Sequence, residues 1–296
     1  THVPRGTIRI LIESNHIKSA QETQEVILTC KDHMVSQETF SILESEPGIL
    51  RTSPVPENLP AYYESDRYIS HTDSKENLQD KIYQYVKSKM LLKKAKWIEQ
   101  ETAGCKLLDY GAGTGDFLAY MQNRNWNAFG VEPNKDARSL ASRKGISIED
   151  NLDKLDARTF DVITLWHVLE HIPNYEDVLK SLIAKLNKDG LLIIAVPNHR
   201  SYDAYYYQDY WAAWDVPRHL WHFSRSGIAQ LLKKNDLIEV CEKPLIFDSF
   251  YVSLLSEENQ KPKPSKINAF WRGLISNFKA KSTGEYSSIA YFYRKS

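Results

Sequence analysis

The sequence predicts an α/β fold, a mainly parallel sheet preceded by a small N-terminal module and a linking helix. Three observations lead there. Beyond Gly104 short apolar runs alternate with helical patterns of ordinary length, as in βαβ units. Prolines cluster at Pro47, Pro54, Pro56 and Pro60, and then prolines and glycines vanish from residues 74–100. The 296 residues are 42% hydrophobic and 26% charged, enough to bury a core in one large or two modest domains.

Composition narrows the function. Lys plus Arg equals Asp plus Glu at 38 each, so the basic excess expected of a general phosphate-backbone binder is missing and no nucleic-acid partner is expected. The mean hydropathy of −0.48 and the lack of an apolar run near the ~18 residues of a spanning helix argue against a membrane span. No secretory signal is visible. Cys30, Cys105 and Cys241 are odd in number and far apart, which suits a reducing cytoplasm. Thr1 to Thr7 lack Met, look like a protease-site linker and carry no weight in the fold.

Residues 1–73 read as a small irregular module, partly β, with clusters Ile8-Ile10-Leu11-Ile12 and Val26-Ile27-Leu28. Residues 74–102 read as an amphipathic linking helix: Leu78, Ile82, Tyr85, Val86, Met90 and Trp97 recur at helical spacing among seven lysines over 74–100. Those lysines are read as a solvated face rather than a membrane-surface helix. The main domain spans 103–296. Its strands are expected at 106–110, 128–131, 160–166 and 191–196. Between the last two, Asn174 is placed to cap a helix with Val178, Leu179, Leu182, Ile183 and Leu186 inward, closed by Gly190. A helix from Ser224 should bury Ile228, Leu231 and Leu232. After Leu237 the pattern gives a strand, a polar stretch over 257–266, a helix around Phe270 to Phe278, and a final strand near Ile289 to Tyr293.

The strongest chemical signal is Leu107-Leu108-Asp109-Tyr110-Gly111-Ala112-Gly113-Thr114-Gly115, a glycine-rich turn between a strand and a helix. Such turns let a ligand approach backbone where no Cβ stands in the way. Glu132, in Val131-Glu132-Pro133 directly after the second strand, is placed to accept hydrogen bonds from ribose hydroxyls. The turn reads G-x-G-x-G, whereas the dinucleotide fingerprint is G-x-G-x-x-G, which disfavours NAD.

Taken with Phe160-Asp161-Val162-Ile163 and the stretch from Asp189-Gly190-Leu191 to Pro197-Asn198, this motif set resembles the class I S-adenosylmethionine-dependent methyltransferases. The branch is the one that includes the ubiquinone-pathway O-methyltransferases. The resemblance implies a Rossmann-like seven-stranded mainly parallel sheet with an antiparallel C-terminal hairpin. It also implies S-adenosylmethionine as cofactor, S-adenosylhomocysteine as product and a small-molecule acceptor. Carried over, it puts Asp109, Gly111, Ala112, Gly113 and Gly115 on the methionine and ribose side. Glu132 with Pro133 would hold the ribose, Asn151 and Leu152 would lie near the adenine, and Trp166 and His167 would form the other wall. Tyr62, Tyr63, Tyr68 and His71 are expected to close over the cofactor.

His167-Val168-Leu169-Glu170-His171 matches the H-x-x-E-H pattern of zinc proteases as text, but its place at the exit of a buried strand argues against that chemistry. In the ubiquinone-pathway enzymes this segment carries carboxylates and a His able to hold a divalent ion. Here His167 stands where an acid would, so no metal is assigned, and Glu170 and His171 are read either as orienting the loop or as a metal site. The aromatic segment from Tyr202 to Phe223 follows the fifth strand and is read as a substrate lid over about 200–223 or as packing aromatics. An activated sulfonium needs mainly alignment and exclusion of water. Where an oxygen acceptor needs a base, His167, His171, His219 and His222 are the candidates. Many relatives carry two Cys pairs in the N-terminal module, and with only Cys30 present no structural zinc is expected. Two rivals remain, a non-catalytic Rossmann-fold interaction protein and a nicotinamide-dependent oxidoreductase or epimerase. The intact glycine turn with Glu132 opposes the first. The missing Tyr-x-x-x-Lys set opposes the second.

Overall fold

The computed structural model describes residues 25–63, 78–155 and 158–295, with the side chains of 78–83 outside that description. The expectations for Thr1 to Thr7, for Ile8 to Ile12, for Tyr68 and His71, and for a helix start at 74 fall outside the described residues.

A central sheet has the order β5-β4-β6-β7-β10-β9. Strands β4 (Lys106–Tyr110), β5 (Asn127–Val131), β6 (Phe160–Trp166) and β7 (Leu186–Pro197) run parallel. The last strand, β10 (Ser288–Lys295), lies antiparallel between β7 and β9 (Leu237–Pro244). Leu191 to Val196 are no more than 1% exposed, because helices cover both faces of a parallel sheet. On one face lie α1 (Leu78–Glu101) and α2 (Asp116–Gln122), with Trp97, Ile98, Phe117 and Met121 in one core cluster. On the other lie α4 (Tyr175–Ala184) and α6 (Arg225–Lys234), with Leu179, Leu182, Ile228 and Leu232. Between β5 and β6 runs α3 (Lys135–Arg143), capped by Asn134.

Among the described residues the sheet has six strands, not the expected seven. Where a further edge strand would stand, the chain makes one parallel bridge, Val131 with Glu149. Glu149 donates its N–H to the Gly130 carbonyl at 3.0 Å and accepts from Glu132 N–H at 2.9 Å. Asn151 then turns the backbone away by accepting from Lys154 N–H, so a polar run leaves the edge after a single pair.

Three further details correct the expectations. Helix α4 ends at Ala184, and Gly190 lies inside β7, where a Cβ would come 2.8 Å from the Asn187 carbonyl oxygen. It serves a bulge there, as the jump in register from Phe160↔Leu186 to Val162↔Leu191 records. Asn174 occupies the N-cap position without a side-chain cap bond. The polar stretch at 257–266 is in part the end of an unexpected helix, α7 (Asp248–Gln260), followed by α8 (Lys266–Thr283). Helix α7 turns Ser249, Ser253 and Ser256 inward, so an apolar period never marks it.

The N-terminal strands β1 (Val26–Lys31), β2 (Thr39–Glu46) and β3 (Ile49–Ser53) form an antiparallel meander. Its fourth strand is β8 (Trp221–Phe223), which comes from the expected lid and pairs with β3 through Ile49↔Phe223. Cys30, Phe40, Ile42 and Leu50 pack there against Tyr207, Trp211 and Trp214, with α5 (Tyr202–Tyr207) opening the aromatic segment. Most of the lid aromatics are therefore packing groups, while Tyr205 is 76% exposed. At the tip of the meander Asp32 accepts from the N–H groups of Met34, Val35 and Ser36 and pairs with Arg218 at 3.0 Å.

Candidate active site

The turn from β4 into α2 is built by its glycines. Gly111 has φ +78°, and a Cβ on it would meet Val168 Cγ2 at 2.4 Å. Its N–H and that of Ala112 both donate to the Val131 carbonyl, tying the turn to the end of β5. Gly113 has φ +54° and open space where a Cβ would be. Its N–H donates to Glu132 Oε2 at 3.0 Å, and Asn134 N–H donates to Oε1 at 2.8 Å. The carboxylate is thereby fixed beside the glycine turn.

Above this turn lies a cavity of about 230 Å³. Asp109, Gly111, Ala112, Gly113 and Trp166 line it, as do Phe117 and Asp116, and α1 closes it with Lys87, Met90, Leu91 and Lys94. Asp109 is 3% exposed and accepts from Thr164 Oγ1 at 2.6 Å. Burial pushes its carboxyl up to about 7, against the pull of Thr164 and Lys94. Burial likewise brings the Lys94 ammonium down to about 8, although Asp109 and Asp248 favour its charge. That ammonium lies 4.1 Å from the centre of the Trp166 ring. The Trp166 indole N–H is buried and has no partner among the described residues.

The other expected cofactor residues sit around this cavity rather than in its wall. Gly115, with φ +76°, starts α2 and backs onto Ile146 and Ala141. Glu132 stands beyond Gly113, and Pro133 is exposed with its carbonyl taken by Arg138. Asn151 is exposed and bonded to Asp150, while Leu152 packs on the core next to the turn. Tyr62 bonds to Glu38 and Tyr63 to the His171 region, so neither lines the cavity. The lysines of α1 were expected in solvent, yet Lys87 and Lys94 face the cavity, and Tyr85, expected inward, is 62% exposed. Lys94 is the residue that sequence reasoning missed, because one lysine among seven on a helix carries no mark of its orientation.

The four histidines divide by environment. His167 follows Trp166 with φ +57° and is held by Asp248 Oδ2 at 3.0 Å and Glu170 Oε1 at 3.5 Å. Desolvation opposes its charge, but the two carboxylates raise it to about 9. His171 is lowered to about 4 by burial and the nearby His219, and its Nδ1 lies 3.1 Å from both the Arg218 carbonyl and Tyr63 Oη. Nδ1 of His219 donates to the Ala213 carbonyl at 2.9 Å. His222 is 4% exposed and kept neutral by burial. Because Thr52 Oγ1 gives its proton to the His219 carbonyl, His222 Nε2 carries the proton in their 2.9 Å contact.

Glu170 is 1% exposed, and neither carboxylate oxygen has a hydrogen bond of ordinary length. Burial pushes its carboxyl up, but His167, His219 and His171 together hold it below the usual range. Among the described residues Glu170, His171 and His219 place one ligand-type atom each within 4.8 Å of one another. The segment forms a single 3₁₀ turn, Leu169–His171, and not the long helix of a zinc protease.

The chain matches the family described as "Methyltransferase domain" over residues 73–241, more than half of its length. A protein from Actinobacillus pleuropneumoniae serotype 7, "Ubiquinone biosynthesis O-methyltransferase", is 32% identical over 126 residues, covering 37% of this chain and 53% of that protein. One of the same name from Glaesserella parasuis is 33% identical over 109 residues, covering 32% and 46%. The chain thus spans about half the length of these curated relatives. Among solved structures, magnesium protoporphyrin IX methyltransferase from Synechocystis with bound SAH superposes with TM-score 0.54 at 11% identity, over 80% of this chain and 97% of that one. A "possible histamine N-methyltransferase" from Thermotoga maritima gives 0.51 at 15%, over 80% and 99%. At such identities the likeness is one of fold. The family match, the glycine turn with its glutamate and the shared sheet together place this chain in the methyltransferase-domain family.

Proposed function

We propose that this methyltransferase takes S-adenosylmethionine in the cavity over the glycine turn and methylates a small molecule, at oxygen. The observation that carries the reading is the chemistry of the cavity wall. Lys94 offers a half-buried cation for an amino acid's carboxylate, Asp109 a buried acceptor for its ammonium, and the unpartnered Trp166 indole a further donor. Open space over Gly113 leaves its backbone free for close approach. A cavity of about 230 Å³ is smaller than the ~300–1,000 Å³ of drug-sized sites and suits the amino-acid half. The nucleoside half then extends toward Glu132, which fits ribose hydroxyls.

The sulfonium supplies an already activated methyl group when bound. The protein's part is to hold that end between α1 and the glycine turn and to keep water out. His167, held as a cation, is no base near neutral pH, and His222 is sealed against Thr52. His219 is buried and gives its Nδ1 proton to the Ala213 carbonyl, whereas His171 is neutral and only half-buried, which favours His171 for accepting a proton from an acceptor hydroxyl. An oxygen acceptor is supported by the names of the sequence relatives. The three free cysteines fit a reducing cytoplasm. Among the described residues no helix is long and apolar enough to cross a membrane.

Calorimetric titration with S-adenosylmethionine and S-adenosylhomocysteine tests the reading, with NAD and Glu132→Ala as controls. Micromolar binding of the first two, weakened by Glu132→Ala, is expected. No binding by the folded chain would overturn it in favour of a non-catalytic role.

A further inference from the structure

Helix α8 is apolar on two opposite faces. Inward it presents the small residues Ala269, Gly273, Ser276 and Ala280, all buried. Gly273 lies so close to α7 that a Cβ would stand 2.9 Å from Phe250 Cα, and its carbonyl accepts from Ser249 Oγ. The large apolar residues point the other way. Ile267 is 75% exposed, Phe270 and Trp271 54% each, Leu274 41% and Phe278 72%. At ~100° per residue these five fall within about 100° of arc, the width of a core-facing stripe, on the side that a surface helix ordinarily fills with polar groups. Isolated exposed apolar residues are common, whereas a contiguous stripe marks a binding surface.

Charge identifies the occupant. From residue 261 to 284 the sequence has six basic residues, Lys261, Lys263, Lys266, Arg272, Lys279 and Lys281, and no acid, in a chain whose formal charge is zero. Arg272 and Lys279 lie over the Tyr206 and Tyr202 rings and Lys261 pairs with Glu257, so the charge offered to a partner is that of the exposed Lys263, Lys266 and Lys281. A second copy docking by two-fold symmetry would bring this basic segment against itself. The stripe also carries three aromatic side chains, Phe270, Trp271 and Phe278, of the kind that enters a headgroup layer while lysine stems reach to anionic groups.

We propose that the outward face of α8 binds an anionic lipid surface, seating its aromatic ridge in the headgroup layer with the flanking lysines on the lipid phosphates. The helix lies one layer from the histidine site. It packs on α7, whose first residue, Asp248, holds His167 Nε2 at 3.0 Å.

Vesicle flotation tests this with the full chain, comparing phosphatidylcholine alone with phosphatidylcholine containing about 30% phosphatidylglycerol. Binding to the anionic vesicles is expected at least about tenfold above the neutral ones, and lowered at about 0.5 M salt. Phe270→Ser with Phe278→Ser should reduce it about tenfold or more, and so should Lys263→Glu with Lys266→Glu. All four side chains are exposed, so unchanged melting temperatures verify that the variants fold. Absence of binding, equal binding to both vesicles, or variants that bind like the parent would overturn the proposal. A solution dimer that Phe270→Ser with Phe278→Ser dissociates would overturn it too, assigning the ridge to a second copy.

Discussion

Replacing Asp32 with alanine strikes the point where the N-terminal meander grips the rest of the chain. The carboxylate does two jobs there. It accepts from Met34, Val35 and Ser36 N–H at 3.0, 3.2 and 2.8 Å, a cap whose loss costs about 1 kcal/mol. It also pairs with Arg218, with both side chains at most 2% exposed. Removing one partner of a buried pair costs about 3–5 kcal/mol when the other charge is stranded. Arg218 keeps Asp215 at 2.7 Å, so about 2 kcal/mol is the appropriate share. The sum, about 3 kcal/mol, should lower Tm by about 6–12 °C and shift the urea midpoint with m unchanged. Asp32→Asn keeps an acceptor and should lose about 2 kcal/mol. A loss below about 0.5 kcal/mol in Asp32→Ala would refute the reasoning. The pH dependence carries a sign. Burial pushes the Asp32 carboxyl up, but Ser36 N–H and Arg218 bring it below its ordinary value of 3.8. Its contribution is therefore present above about pH 4 and lost as the pH falls through the folded value, so parent and variant should converge in acid.

Three further outcomes follow from the site. Lys94→Met should weaken S-adenosylmethionine binding about ten- to hundredfold by calorimetry, with NAD ineffective in both proteins. His167, raised to about 9 from 6.5, should show an imidazole NMR titration near that value, and Asp248→Asn should bring it down. Its pairing stabilises fully below about pH 6.5 and is lost as the pH rises through about 9, so the Asp248→Asn deficit should shrink in alkali. Gly111→Ala forces a left-handed φ of +78° and a 2.4 Å approach to Val168, and should cost about 2–4 kcal/mol in denaturant and abolish cofactor binding.

The parallel strands were legible because burial on both faces writes an unbroken apolar run, and β4 and β6 fall at the expected residues. The turn was legible for a related reason, since positive φ at Gly111, Gly113 and Gly115 leaves glycine as the natural choice. Other features left no local trace. Strand β8 is three residues long, too short for alternation to show, and its pairing depends on a distant partner. Helix α7 buries serines, and Lys94 looks like its solvated neighbours. The link from Asp32 through Arg218 to Asp215 spans 186 residues of sequence, and no pattern within one segment reveals it. His167 looked like a base until Asp248, on a helix that the sequence did not announce, supplied its counter-charge.

The pairing of β3 with β8 also sets a timetable for synthesis. Thr52 meets His219 across 167 residues, so at about 5–20 residues per second the meander waits about 10–30 s for its last strand. During that interval β3 is an open edge, with Leu50 and its apolar neighbours uncovered. A fragment cut at residue 73, where the family match begins, would reverse the problem by stranding β8 and leaving Trp211 and Trp214 without the sheet they pack against. The meander is thus made before the main sheet and completed only after most of that sheet has followed.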